Sequence, residues 1–188
     1  MPEPTTLAIG NPAPIAPVTA PSGEPIAIDQ LWHANPGGLA LIFLRHYGCP
    51  FCKEHARAIN ERSREFADAG VTVLLIGCGT AEEAREFQAT YAPNLAVGND
   101  PERIAYQAYG LGTATVASLA HPKVLAGGVR AAAKGFLPRK STGHPLQLQG
   151  QFLIDPTGTI QVAERPILMS DIPGPDTLLH AARTPVVA

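Results

Sequence analysis

Two cysteines separated by two residues, in the run Arg45-His46-Tyr47-Gly48-Cys49-Pro50-Phe51-Cys52, are the residues best equipped for chemistry. They stand where an apolar stretch, residues 39–44, gives way to an amphipathic one, residues 53–69, so a strand should end and a helix begin at the pair. Pro50 suits a first helical turn, because its missing N–H has no intrahelical partner there and its fixed φ already matches a helix. Cys49 then falls at or near the N-cap, facing unpaired backbone N–H groups and the positive end of the helix dipole. A thiolate is stabilised in such a position, with a pKa lowered from ~8.5 to roughly 3.5–7.5, and the thiolate is the nucleophile. Cys52, a turn further on, shares a helix face with Ala56, Ile59, Ser63 and Phe66, so its sulfur should lie deeper. Cys49 is therefore expected to attack, reachable from water at the helix tip, and Cys52 to resolve by closing an internal disulfide.

Other readings of the pair have to be weighed. Half a zinc knuckle shows the same gap, but a closed site would need Cys78 and a histidine to converge on it. A structural disulfide would close only a tiny loop in a chain large enough not to need it. Two inert thiols also fit, since free cysteine packs as a small hydrophobe. Among the neighbours, Arg45 and His46 are close enough in sequence to stabilise a thiolate or donate to a leaving atom. Tyr47, Pro50 and Phe51 are candidates for an apolar rim, although aromatic residues serve equally as core. Cys78 closes a second apolar strand and is either an auxiliary thiol or a buried bystander. His33, His55, His121, His144 and His180 show no ligand spacing, and most are expected at the surface or in loops.

The bulk properties suit one domain over residues 1–188, with residues 1–25 as an extended, proline-rich lead-in. A formal net charge of −2 gives no electrostatic case for nucleic acid or membrane partners. The small basic group Arg130, Lys134, Arg139 and Lys140 reads as a solvated loop. No export signal or membrane-length apolar run is evident, and the odd cysteine count points to a reducing, cytoplasmic setting. Along the chain, short strands are expected near residues 15–18 and 26–28, and a helical turn at 29–32. Doubly buried strands follow at 39–44 and 71–77, joined by one helix that Gly70 stops. Thr80 and Glu83 form a capping box for a helix to about Tyr91; a strand at 95–97 and a helix opened by Asp100-Pro101-Glu102 come next. Residues 113–120 and 124–133 have helical character interrupted by Pro122, Gly127-Gly128 and Gly135. A hairpin around Asp155-Pro156-Thr157-Gly158 and a helix to Arg183 complete the chain.

This order of elements resembles the thioredoxin fold. The segments Gly10-Asn11-Pro12-Ala13-Pro14, Phe43-Leu44-Arg45-His46-Tyr47-Gly48-Cys49-Pro50-Phe51-Cys52 and Gly150-Gln151-Phe152-Leu153-Ile154-Asp155-Pro156-Thr157-Gly158 resemble the peroxiredoxin-like branch of the alkyl hydroperoxide reductase/thiol-specific antioxidant (AhpC/TSA) superfamily. The resemblance implies an α/β, three-layer α/β/α fold with a central mixed sheet. It also implies antioxidant thiol chemistry at Cys49 and Cys52, acting on a hydroperoxide or disulfide and restored by thioredoxin or glutathione. No organic cofactor or metal is implied, and a homodimer is one assembly open to such a chain. His46 stands where typical peroxiredoxins carry threonine or serine. The Cys49-Pro50-Phe51-Cys52 tetrad resembles that of glutaredoxins, so a glutaredoxin- or thioredoxin-type disulfide reductase is the competing enzyme. A redox sensor switched by the same disulfide is the non-enzymatic alternative.

Overall fold

The computed structural model describes residues 7–184; the first six residues of the expected lead-in lie outside them. Five strands form one mixed sheet: β1 (Leu39–Phe43), β2 (Thr72–Gly77), β3 (Ala96–Asn99), β4 (Gly150–Ile154) and β5 (Ile160–Glu164), in the order β3-β2-β1-β4-β5. β1 is central, parallel to β2 and antiparallel to β4, and each of its residues is buried. Its unbroken apolar run follows from this position: Ala40 and Ile42 face one layer of helices, Leu39, Leu41 and Phe43 the other.

One outer layer contains α2 (Pro50–Glu61), α3 (Ser63–Asp68), α4 (Ala81–Tyr91), α6 (Pro122–Ala133) and α7 (Pro175–Arg183). The other contains α1 (Ile28–His33), α5 (Ile104–Ala108) and the lead-in. On that second face Phe43 packs against Tyr106, Tyr109 and Phe152 with ring centroids 5.0, 5.1 and 5.8 Å away. Removing such a buried ring typically costs roughly 3–5 kcal/mol. The arrangement is the three-layer thioredoxin-like fold that the sequence pattern suggests.

Several elements differ from expectation. The helix after the cysteines is two helices, broken at Arg62, whose guanidinium pairs with Glu65 and Asp176; neither glycine nor proline marks the break. Gly70, with φ of 69°, still ends the second piece. The helix expected at Asp100 starts only at Ile104, because Arg103 takes a left-handed conformation. The Asp100 carboxylate nevertheless caps it from there, accepting the Ile104 and Ala105 N–H groups at 3.0 and 2.8 Å. Thr113 pairs with Gln147 in an isolated bridge, and only Val116–Ala120 forms a short 3-10 helix. Gly127 and Gly128 do not interrupt α6: a Cβ at Gly127 would sit 3.2 Å from the Phe51 ring, so this glycine permits close packing.

The lead-in forms bridges rather than strands, and it reaches both margins of the sheet. Pro12 pairs with Thr159 just before β5, and Thr19 with Asn99 at the end of β3. Between them, Ala16 and Val18 enter the second core and the Pro14 carbonyl accepts from the Tyr109 hydroxyl at 3.0 Å.

Candidate active site

The β1 strand ends one residue before Leu44, whose N–H donates to Ile76 and continues the parallel pairing. The chain then turns through residues 45–48 and enters α2 with Cys49 in extended conformation at the N-cap and Pro50 at the first helical position. Arg45 organises the turn. Its backbone N–H donates to Cys52 Sγ at 3.0 Å, its Nη1 to Cys49 Sγ at 3.2 Å, and its carbonyl accepts from Cys78 Sγ at 2.9 Å. Its remaining donors go to the Gln147 carbonyl at 2.9 Å and to the Pro145 carbonyl. The residue is only 5% exposed, so its charge acts in a medium of low dielectric.

The two paired sulfurs separate in acidity. Burial opposes ionisation of Cys49, but the hydrogen bond from the Cys52 thiol, the Arg45 charge and the Cys52 N–H outweigh it, lowering the pKa from 9 to about 6. Cys52 moves the other way, pushed up by burial and by donating to Cys49. Cys49 is therefore the more acidic thiol of the pair, and Cys52 the one that holds its proton. Burial also pushes the Cys78 thiol up. All three cysteines are free, and among the described residues no three His, Cys, Asp or Glu side chains gather as metal ligands.

The exposed sulfur expected at the helix tip is not found: Cys49 is 1% exposed. Residues 134–149 run as a strap across the turn. The Arg139 N–H donates to the Gly48 carbonyl at 2.9 Å, while the Arg139 carbonyl lies so close that a Cβ on Gly48 would meet it at 2.1 Å. Lys53 Nζ donates to Leu137 at 2.7 Å, Arg139 pairs with Glu86 at 2.8 Å, and Thr142 donates to Glu83 through both its N–H and its hydroxyl. Nothing in the spacing of residues 134–149 marks this role. Lys53 was detectable, four residues after Cys49 and so on its helix face.

No hydrogen bond joins the His46 ring to a sulfur; its Nδ1 is buried without a partner, and burial together with Arg45 lowers its pKa to about 4. Tyr47 is almost fully buried: its ring packs on Phe87 and its hydroxyl donates to Gly98 at 2.8 Å. Phe51 is likewise buried, against Gly127 of α6, and Pro50 is half-buried. His55, expected at the surface, is buried on α2 with both ring nitrogens unpaired; burial lowers its pKa to about 4. In the basic group, Arg130 and Lys134 both pair with Glu54.

A mixed sheet in this order, with a Cys-x-x-Cys pair at the junction of its central strand and the following helix, defines a thioredoxin-like fold. The chain belongs to the AhpC/TSA family, whose profile matches residues 9–163. Among curated proteins it is 31% identical over 86 residues to the thioredoxin-like protein AAED1, chloroplastic, of Arabidopsis thaliana, covering 46% of this chain and 34% of that protein. It is 27% identical over 96 residues to peroxiredoxin-like 2C of Bos taurus, covering 50% and 41%. The match thus spans well under half the length of either relative. Among solved structures, peroxidoxin BcpB from Mycobacterium tuberculosis superposes with a TM-score of 0.70 at 13% identity, covering 96% of this chain and 99% of that one. Reduced Prx3 in complex with H2O2 from Vibrio vulnificus gives 0.69 at 16% identity, covering 94% and 99%. A putative thiol:disulfide interchange protein DsbE from Chlorobium tepidum gives 0.63 at 16% identity, covering 94% and 98%. These likenesses establish the fold. Among the described residues no helix is long and apolar enough to cross a membrane.

Proposed function

We propose that this chain is a peroxide-reducing thiol oxidoreductase in which Cys49 is the nucleophile and Cys52 the resolving thiol. The observation that carries the reading is the Arg45 guanidinium 3.2 Å from Cys49 Sγ, inside a buried site where Cys52 keeps its proton. The Cys49 thiolate attacks one oxygen of a hydroperoxide; the O–O bond breaks, a sulfenic acid forms, and the leaving oxygen departs as an alcohol or water after taking a proton. Arg45, whose Nη1 is within hydrogen-bond reach of the sulfur, donates to the charge that develops there. The Cys52 sulfur then attacks the sulfenic sulfur, and its proton leaves with the hydroxide as water while the disulfide closes. Two equivalents of external thiol, from thioredoxin or glutathione, restore the pair in a reducing compartment such as the cytoplasm.

Disulfide reduction by the same pair is the second reading, favoured by the neutral, unpaired His46 ring where a peroxide-orienting hydroxyl would be expected. Intact-mass analysis of Cys52→Ser after brief hydroperoxide exposure separates the two. One added oxygen, abolished in Cys49→Ser, is expected, and wild type should lose two hydrogens. Two unmodified thiols, with turnover of a disulfide substrate instead, would establish the reductase. Reversible oxidation without turnover of either substrate would leave a sensor.

A further inference from the structure

An open groove of about 610 Å³ lies beside the cysteine turn, between α2, α4 and the strap. Its apolar wall is a row of rings, Tyr47, Phe87 and Tyr91, with successive centroids 5.3 and 5.2 Å apart. Its charges are of both signs, and most are already engaged. Glu86 pairs with Arg139, and Glu83 accepts from Thr80 and Thr142. Four charged groups on the groove have no ionic partner among the described residues: Glu83, whose oxygens are taken up by the Thr80 and Thr142 hydrogen bonds, Lys53, which spends one donor on the Leu137 carbonyl and lies 5.6 Å from the Tyr91 ring centre, Lys140 and Glu82. The groove therefore presents two open cations and one open anion over an aromatic wall. Tyr47 and Gly48, immediately before Cys49, form the end nearest the nucleophile.

We propose that this groove binds the reductant of the Cys49–Cys52 disulfide, and that the reductant is a small peptide thiol with two carboxylates and one ammonium, the charge pattern of glutathione. The inference rests on the dithiol cycle above and names its electron donor. The carboxylates meet Lys53 and Lys140, and the ammonium meets Glu82. Arg139 links occupancy to access, since its side chain pairs with Glu86 in the groove while its backbone N–H holds Gly48. A carboxylate competing for that guanidinium loosens the strap where it shields the sulfur. The donor's thiolate attacks Cys49 Sγ, the internal S–S bond breaks, and Cys52 leaves and takes up the proton that the donor thiol released. A second donor thiolate attacks the donor sulfur of the mixed disulfide, freeing Cys49 as the thiolate, a good leaving group at its low pKa. Two thiols become one disulfide and the protein disulfide becomes a dithiol, so electrons balance.

The test is the reduction rate of pre-oxidised protein by glutathione, β-mercaptoethanol and cysteamine, compared at equal thiolate concentration. Glutathione should exceed the neutral thiol by about tenfold, the scale of two or three partly exposed ion pairs, with cationic cysteamine slowest. That ratio should fall toward one in Lys140→Glu and with added salt, and should persist in the control Lys123→Glu on α6. Equal rates for the three donors, or an unchanged ratio in Lys140→Glu, would overturn the proposal, as would fast reduction by thioredoxin alone. Failure of the disulfide to form at all, or its resistance to every thiol, would instead sink the cycle on which the proposal depends.

Discussion

Arg45 touches all three sulfurs of the site, two through its backbone and one through its side chain. Guanidinium is the appropriate group for this, because it stays charged when buried and its fork reaches two carbonyls and a thiolate together. Replacing it by methionine keeps much of the bulk and removes the charge. Arg45→Met should therefore move the pH profile of Cys49 alkylation by iodoacetamide upward from about 6, lowering the rate at neutral pH by roughly tenfold or more. An unmoved profile would mean that Cys52 and the helix terminus stabilise the thiolate unaided. Arg45→Lys should lie between, since an ammonium on a flexible stem cannot hold Pro145, Gln147 and the sulfur at once. The cysteine spacing and Pro50 made the pair legible in the sequence, and four residues of separation made Arg45 a candidate. Its fastening to carbonyls about a hundred residues away was not legible, because no local pattern encodes a side chain's long-range partner.

At the level of elements, the strap lies across the cysteine turn, where Cys49 is buried. Gly48 and Arg139 meet backbone to backbone, with no room for a methyl group. Gly48→Ala should displace the strap and speed attack on Cys49 by a bulky disulfide reagent more than by iodoacetamide. If both rates rise equally, the change lies in thiol acidity and the strap is not the barrier. Strands buried on both faces, the Thr80–Glu83 capping box and the last helix could be read from periodicity and caps, since local chemistry dictates them. Residues 134–149 could not. Their conformation is set by Lys53, Glu83, Glu86 and Arg45, which belong to other elements. Gly127 misled for a related reason: as a breaker it argued against a helix, yet Ser170 and Phe51, from other parts of the chain, pack so closely there that a side chain would be tight.

Across the whole molecule, burial of titratable groups on the first face couples folding to acid. His55 binds a proton near 6.5 in the unfolded chain but only near 4 when folded, because burial disfavours its charge. Between those values the unfolded state holds more protons, so stability falls as pH drops through 6.5 and the loss levels off below about 4. The size is about 3 kcal/mol, and His46 acts in the same direction. Urea midpoints should fall between pH 7 and 4, by less in His55→Leu; equal falls in the two proteins would assign the acid sensitivity elsewhere.

The lead-in, bridged to Thr159 on one side and Asn99 on the other, has a protective consequence. It occupies hydrogen-bonding groups at both sheet margins and lays Ala16 and Val18 over an aromatic face. Unpaired strand margins recruit other chains. A protein trimmed of residues 1–25 should therefore elute from size-exclusion columns as large, polydisperse species, and a trimmed protein that stayed monodisperse at the size of the intact one would show that the segment is no guard against clumping.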